Sequence, residues 1–352
     1  MTPELSDSGL PQKSIDTLVS LYTEAAERMK QMVLHPPGGT ASSRDFKQAR
    51  AAQLANQIDM MLAKLKNGTG VWIGENLPQA FVDGLKRAET QAKAIGIDIP
   101  DSPLSGSFSL IDHGAVGKFA HDISKEMTND LVGKDGAMTL AADRAKSVLR
   151  KTAQLNLGES EIDRILAGGV IDGTPVQTVH KLRDAFKAVG NGTVVVKDKN
   201  GDLMNFDAGY YAGMVARTKT REATVKARHE RLQQLDLDLV AIVGLVSTHF
   251  CTAFLGQVFS LSGKSDKYPA YSSLPGGGPP FHPNCSKSTR PFVPELANET
   301  QLEQADGLDD ADKLLGMDQT QAHRAFNDLQ LHAQQKDRYA STAKKLFGKA
   351  AA

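Results

Sequence analysis

Both cysteines of the chain, Cys251 and Cys285, lie in one stretch, and each has a histidine close by. His249-Phe250-Cys251 stands on one side of a Gly/Pro-rich loop, Gly263 to Pro280, and His282-Pro283-Asn284-Cys285 on the other. Thiolate and imidazole are the donors a structural zinc prefers, so His249, Cys251, His282 and Cys285 form a candidate four-ligand tetrahedral set. Zinc there would tether the loop to the strand before it, and metal-free protein would lose that local fold. The competing reading is that both cysteines are small buried hydrophobes and His282 makes an ordinary hydrogen bond.

The rest of the composition sets broad bounds. A chain of 352 residues exceeds one ordinary hydrophobic core, so two or three folding units are expected. Lys+Arg and Asp+Glu are equal at 41 each, which favours neither a nucleic-acid coat nor a membrane-surface protein. No stretch approaches the roughly 20 apolar residues that span a bilayer, and Met1–Gly9 lacks the pattern of a signal peptide. Two cysteines make no disulfide framework, which fits synthesis in a reducing cytoplasm. No membrane partner and no cofactor beyond zinc are expected.

Charge is nonetheless grouped. Arg217, Lys219, Arg221, Lys226, Arg228 and Arg231 form a basic run interrupted only by Glu222 and Glu230. Glu295 to Asp318 is acidic except for Lys313, and Lys336 to Lys349 is basic again. Such runs are usually solvated helix faces. The sharper reading makes Lys219, Arg221, Lys226, Arg228 and Arg231 contacts to a partner or to DNA phosphates.

Periodicity predicts a mainly α protein with a small α+β C-terminal domain. Leu18, Leu21, Ala25, Met29 and Met32 recur at helical spacing, and His35-Pro-Pro-Gly-Gly39 stops that helix. Ser42 or Ser43 can cap the next helix, with Leu54, Ile58, Met61 and Leu65 on its apolar stripe; Asn67-Gly-Thr-Gly70 is expected to end it. A third helix is expected from Pro78 to about Ala94, before a polar boundary from Ile99 to Ser107. Helical patterns follow at Val116–Thr152, broken by Gly133 and Gly136, then at Glu159–Leu166 and Pro175–Val189. Asn200-Gly201 between β-branched and alternating runs reads as a hairpin turn. Asp207 then caps a helix from Ala208 to about Leu235, and Leu237–Gly244 is a buried strand. Two tail helices, Asp309–Leu331 and His332–Phe347, complete the reading. The resulting organisation is a helical region at 1–100, a second at 108–190, an α+β domain at 191–298 and a helical tail at 299–352.

From about Thr193 to Leu296 the chain resembles the C-terminal domain of phage minor capsid proteins, the minor capsid protein 2 type and the related head-morphogenesis proteins named after protein F of phage Mu. The resemblance rests on Tyr211-x-x-Met214-x-x-Arg217-Thr218 on a helix, Cys251 leading to a Gly256-Gln-Val turn, and His282-Pro283-Asn284-Cys285, all after the hairpin. Arg217, Thr218, Gly256, Pro283 and Asn284 are therefore the structural motif, with Arg217 expected to hold carbonyls of the closing loop. Relatives carry a second Cys beside the first, and Arg-Cys or Arg-His after the closing motif. Here Ser286-Lys287 follows it, so this chain must draw on His249 or do without a metal.

The resemblance implies a structural, non-enzymatic component of a tailed-phage head, present in several copies per virion. It would act at the portal or inside the shell during assembly or DNA packaging, in contact with portal or major capsid protein and packaged DNA. Two rivals remain: a zinc-dependent hydrolase or nuclease using the His/Cys site, and a DNA-binding protein carried with the genome. A catalytic zinc needs an open position and a general base. The sequence offers no carboxylate beside the four candidates. Pro275-Gly-Gly-Gly-Pro-Pro280 lacks the Lys-Ser/Thr of a phosphate loop and reads as a flexible connector.

Overall fold

A computed structural model describes residues 10–35, 43–99, 113–171, 174–197, 203–306 and 309–330. The chain is mostly helical with a small strand-containing C-terminal region, as the periodicity predicts. The elements run α1 (Gln12–Leu34), α2 (Arg44–Ala94), α3 (His113–Val132), α4 (Ala137–Gln154), α5 (Glu159–Leu166), α6 (Val176–Gly190), β1 (Thr193–Lys197), β2 (Leu203–Asp207) and α7 (Ala208–Gln234). They continue with β3 (Leu239–Val243), β4 (Val258–Ser260), β5 (Ser288–Pro291), α8 (Glu299–Asp306), α9 (Asp309–Asp312) and α10 (319–330). Two compact units, each discontinuous in sequence, divide these elements.

One unit holds α1, residues 44–79 of α2, α3 to α6, the β1–β2 hairpin and the first half of α7. Helix α1 buries Ile15, Leu18, Tyr22, Ala25, Ala26, Met29 and Val33, a stripe at helical spacing, while Leu21 and Met32 lie at its edges half-buried. Helices α1, α4 and α6 pack on one another, and β1 lies against α4 and α6. Strands β1 and β2 pair antiparallel from Thr193↔Asp207 to Lys197↔Leu203. The Asn200-Gly201 turn between them lies outside the described residues. Asp207 caps α7, its Oδ1 accepting from the Tyr210 N–H at 2.8 Å.

Helix α2 departs from expectation. Asn67–Gly70 does not end it and Pro78 does not start another; one helix runs from Arg44 to Ala94, begun by Ser43, whose Oγ accepts from the Phe46 N–H. Tertiary packing overrides the local stop signal here. Thr69 is fully buried, its hydroxyl donating to the Leu65 carbonyl at 2.8 Å and sharing a 2.9 Å bond with the Tyr22 hydroxyl. One turn later Trp72 is buried and its indole N–H donates to the Ser14 carbonyl at 2.6 Å. The residues read as a break are thus where α2 is fastened to α1.

The other unit holds residues 80–99, the second half of α7 and everything described from β3 onward. Its sheet has the order β4-β3-β5, antiparallel throughout. Val240 of β3 packs with Leu232 of α7 and Ala88 of α2, seating the two helices against the sheet. A larger core gathers Ile242, Phe250, Phe254, Phe259, Leu274 and Phe281, with Leu314 and Phe326 from the tail covering it. The tail helix expected from Asp309 to Leu331 is broken. Gly316 takes φ +74° and its N–H donates to the Ser273 carbonyl at 2.7 Å, after which Asp318 caps α10 through the Thr320 and Gln321 N–H groups. The expected helix His332–Phe347, the basic run Lys336–Lys349 and residues 100–107 of the expected boundary lie outside the described residues.

Helices α2 and α7 approach closely at Gly84, where an added Cβ would stand 2.3 Å from the Thr224 carbonyl oxygen. Backbone cannot give way as a side-chain tip can, so Gly84→Ala is expected to destabilise the protein by about 1–3 kcal/mol. A lowered urea midpoint with unchanged slope checks this; an unchanged midpoint would refute the close-approach argument.

Candidate metal centre

The doubly paired strand β3 positions the cysteine–histidine cluster. Its Val240 pairs with Phe259 of β4 and its Ala241 with Arg290 of β5, and a cysteine precedes each outer strand. Cys251 lies in the 3-10 turn Phe250–Phe254, which leads through Gly256 into β4. Gly256 adopts φ +81°, and its N–H donates to the Ile242 carbonyl at 2.9 Å, so the Gly-x-Val turn of the sequence is the hinge that turns the chain back along β3. Thr252 fastens the preceding loop, accepting from the Ser247 N–H and donating to the Ser247 carbonyl.

Cys285 arrives on a β-turn. The Cys285 N–H donates to the His282 carbonyl at 3.0 Å, with Pro283 and Asn284 at the two central positions and Asn284 at φ +57°. Proline first and a residue tolerant of positive φ second is the type II signature, which is the physical reason for Pro-Asn between the histidine and the cysteine. The turn is seated by Phe281, which stacks on Phe254 at 5.2 Å and meets the Phe250 ring edge-on. The Gly/Pro segment before it is packed structure, where a flexible connector was expected. Gly276, Gly277 and Gly278 all take positive φ, and buried Gly278 lies against Tyr271, where a Cβ would meet the ring at 2.2–2.7 Å.

Of the four sequence candidates, the structure gathers three. The ligand atoms of Cys251, His282 and Cys285 all lie within 4.8 Å of one another, the cysteines buried and the histidine half-buried. Cys251 Sγ is 3.2 Å from His282 Nε2, and His282 Nδ1 is 3.0 Å from the Pro283 carbonyl. That carbonyl fixes the proton on Nδ1 and leaves the Nε2 lone pair facing the sulfurs. His249 is exposed and stacks on the His282 ring with centroids 4.4 Å apart; on its other side His323 of α10 stands at 5.7 Å. His323 carries no sequence signal linking it to this site, because only the fold of the tail brings it there.

The two sulfurs are electrostatically unequal. Sharing a proton with Cys285, with burial adding to the effect, pushes the Cys251 thiol up to about 12. The same bond, helped by backbone N–H groups of Lys287 and Phe281 and by the Lys287 charge, and opposed by burial, brings Cys285 down to about 6. Burial alone would lower His282, but its bonds to Cys251 and the Pro283 carbonyl outweigh that and leave it raised. Lys287, fully buried, donates from Nζ to the Leu245 carbonyl and Ser247 Oγ. In the sequence it stands out only as a departure from the family pattern.

A buried arginine of α7, Arg228, anchors strand β5. Arg217 folds its guanidinium back toward Gly213, and Thr218 donates to the Met214 carbonyl within its own helix. Arg228, 1 % exposed, donates from Nη1 to Ser288 Oγ at 2.7 Å and to the Thr289 carbonyl, holding β5. The reading of the basic run as an outward-facing contact strip is corrected at two positions, since Arg221 and Arg228 are both buried. Others are paired: Lys219 with Glu126, Lys226 with Glu222, and Arg231 with Glu89.

Arg228→Met removes the donor from two buried acceptors and is expected to cost about 2–4 kcal/mol in chemical unfolding; a change under about 0.5 kcal/mol would mean β5 does not depend on it. Next to it His229 is half-buried, 2.9 Å from Thr289 Oγ1 and edge-on to Tyr271, and desolvation, with the Arg228 charge, lowers it to about 3. Between its unfolded value near 6.5 and about 3 the unfolded chain binds the extra proton, so this contribution is complete above pH 6.5 and is lost as pH falls through that window. Unfolding curves from pH 7 to 4 should show this acid loss, and His229→Phe should flatten it; a parallel acid limb in the variant would refute the assignment.

A family model described as phage minor capsid protein 2 matches residues 176–341, extending beyond 193–296 on both sides. The chain matches no curated protein and no solved structure.

Proposed function

We propose that this chain, whose residues 176–341 match the phage minor capsid protein 2 family, is a virion component of a bacteriophage and a structural part of a tailed-phage head. It acts at the portal or against the inner face of the shell while the capsid assembles or fills, holding to portal or major capsid protein. The family match carries the reading. Two features of the fold support it. No carboxylate among the described residues joins the Cys251–His282–Cys285 cluster, which is the donor set of a structural more than of a hydrolytic zinc site. No helix among the described residues is long and apolar enough to cross a membrane.

Attachment through protein surfaces, with DNA secondary, is favoured by the burial or ion pairing of the α7 cations. Arg221 and Arg228 are buried, and Lys219, Lys226 and Arg231 lie within ion-pair distance of carboxylates. A row engaged in this way offers few charges for counterion release.

Purified heads should contain the chain, and it should stay with them through nuclease digestion and a 1 M salt wash. A protein held by six to ten phosphate contacts would lose roughly 10³–10⁵ in affinity between 50 and 200 mM salt. Release by nuclease or salt would support genome-borne binding. Absence from heads at every stage of assembly would overturn the structural reading.

A further inference from the structure

We propose that Cys251, Cys285 and His282 hold a structural zinc ion, with His249 turning in as the fourth donor, and that this ion clasps the turn before β4 to the turn before β5. The donors are of the right kind and already converge: their three ligand atoms lie within 4.8 Å of one another. The 3.2 Å from Cys251 Sγ to His282 Nε2 is close to the roughly 3.5 Å that a thiolate and an imidazole keep around tetrahedral zinc, given bonds of about 2.3 and 2.0 Å. Metal insertion needs only the small outward relaxation of a pair now sharing a hydrogen bond.

The surroundings are those of a ligand set. His282 is fixed through Nδ1 by the Pro283 carbonyl, which presents Nε2, and a ligating histidine nearly always has such an outer partner. Backbone N–H groups of Phe281 and Lys287 point at the Cys285 sulfur, where they support a thiolate. Two thiolates and two neutral imidazoles around Zn²⁺ sum to zero charge, which suits a cluster whose sulfurs are both buried. His249, two residues before Cys251, is exposed and stacked on His282, the nearest further imidazole to the cluster in sequence and in space. With it the coordination shell closes, so the ion is structural and leaves no position for a substrate.

The test uses the purified full chain and is independent of any head preparation, so its failure leaves the capsid reading standing. Metal analysis should find about one zinc per chain. Cobalt(II) added to chelator-treated protein should give sulfur-to-cobalt charge-transfer bands and the intense visible bands of a tetrahedral ion. Cys285→Ser should weaken cobalt binding at least about 100-fold, and His249→Ala about 10-fold with an altered visible envelope. Chelation should lower the melting temperature by at least about 5 °C. A chain that is folded by circular dichroism yet gives no cobalt spectrum overturns the proposal. So does a spectrum unchanged in Cys285→Ser, or a mass two hydrogens low that reveals a Cys251–Cys285 disulfide. An unchanged His249→Ala spectrum overturns the fourth ligand.

Discussion

Strand β3 is hydrogen-bonded on both edges, through Val240↔Phe259 to β4 and Ala241↔Arg290 to β5, and the candidate centre exists because of that pairing. A strand with two antiparallel neighbours fixes where each neighbour must begin. The residues just before β4 and just before β5 are therefore brought together, whatever the long intervening loop does. Cys251 and the His282–Cys285 turn occupy those two places. The sheet itself is slight, with strands of 5, 3 and 4 residues. It is held from one side by Ala88 and Leu232 on Val240, and elsewhere by the phenylalanine cluster around Ile242.

Side-chain chemistry visible in the sequence was a reliable guide wherever the local signal and the tertiary demand agreed. Gly133 and Gly136 separate α3 from α4, Glu159–Leu166 is α5, and Asp207 caps α7. The Cys/His spacing marks three residues that converge, Cys251, His282 and Cys285, and His-Pro-Asn-Cys is a turn whose hydrogen bond brings its two end residues together; His249 lies beside them, outside the cluster. Legibility fails where a distant partner decides. Asn67–Gly70 looks like a stop, yet Tyr22 and Ser14 of α1 engage Thr69 and Trp72 and carry the helix through. Gly316 breaks a helix that periodicity would continue, and its N–H goes to Ser273, far away in sequence. The arginine that holds β5 is Arg228, three turns beyond Arg217 along the same helix. Nothing in a run of similar cations says which of them faces the sheet.

The same helix shows why a charge run is weak evidence for a charged partner. Burying a guanidinium is costly unless its donors are used, and Arg228 turns Nη1 on both Ser288 Oγ and the Thr289 carbonyl. Glu89 does the equivalent for Arg231, both side chains being largely enclosed. Of the cations in this run, Arg228 is a polar strut of a small sheet with little apolar area of its own, and Lys219, Lys226 and Arg231 pair with carboxylates of helices.

A sheet of that size leaves the loop between β4 and β5 as its greatest entropic liability, since the long segment must be closed before β5 can pair with β3. Aromatic packing of Phe281 on Phe254 and the seating of Gly278 on Tyr271 oppose this from within the loop. A link between positions 251 and 285 acts differently, because it closes the whole excursion at its base. For loops of this length, the chain-entropy estimate for such a closure is about 3–4 kcal/mol. That is a large share of the stability of a unit with so short a sheet. It gives a physical reason why thiol and imidazole donors stand at the mouth of this loop, where any cross-link, metal or covalent, would restrain most chain for one bond.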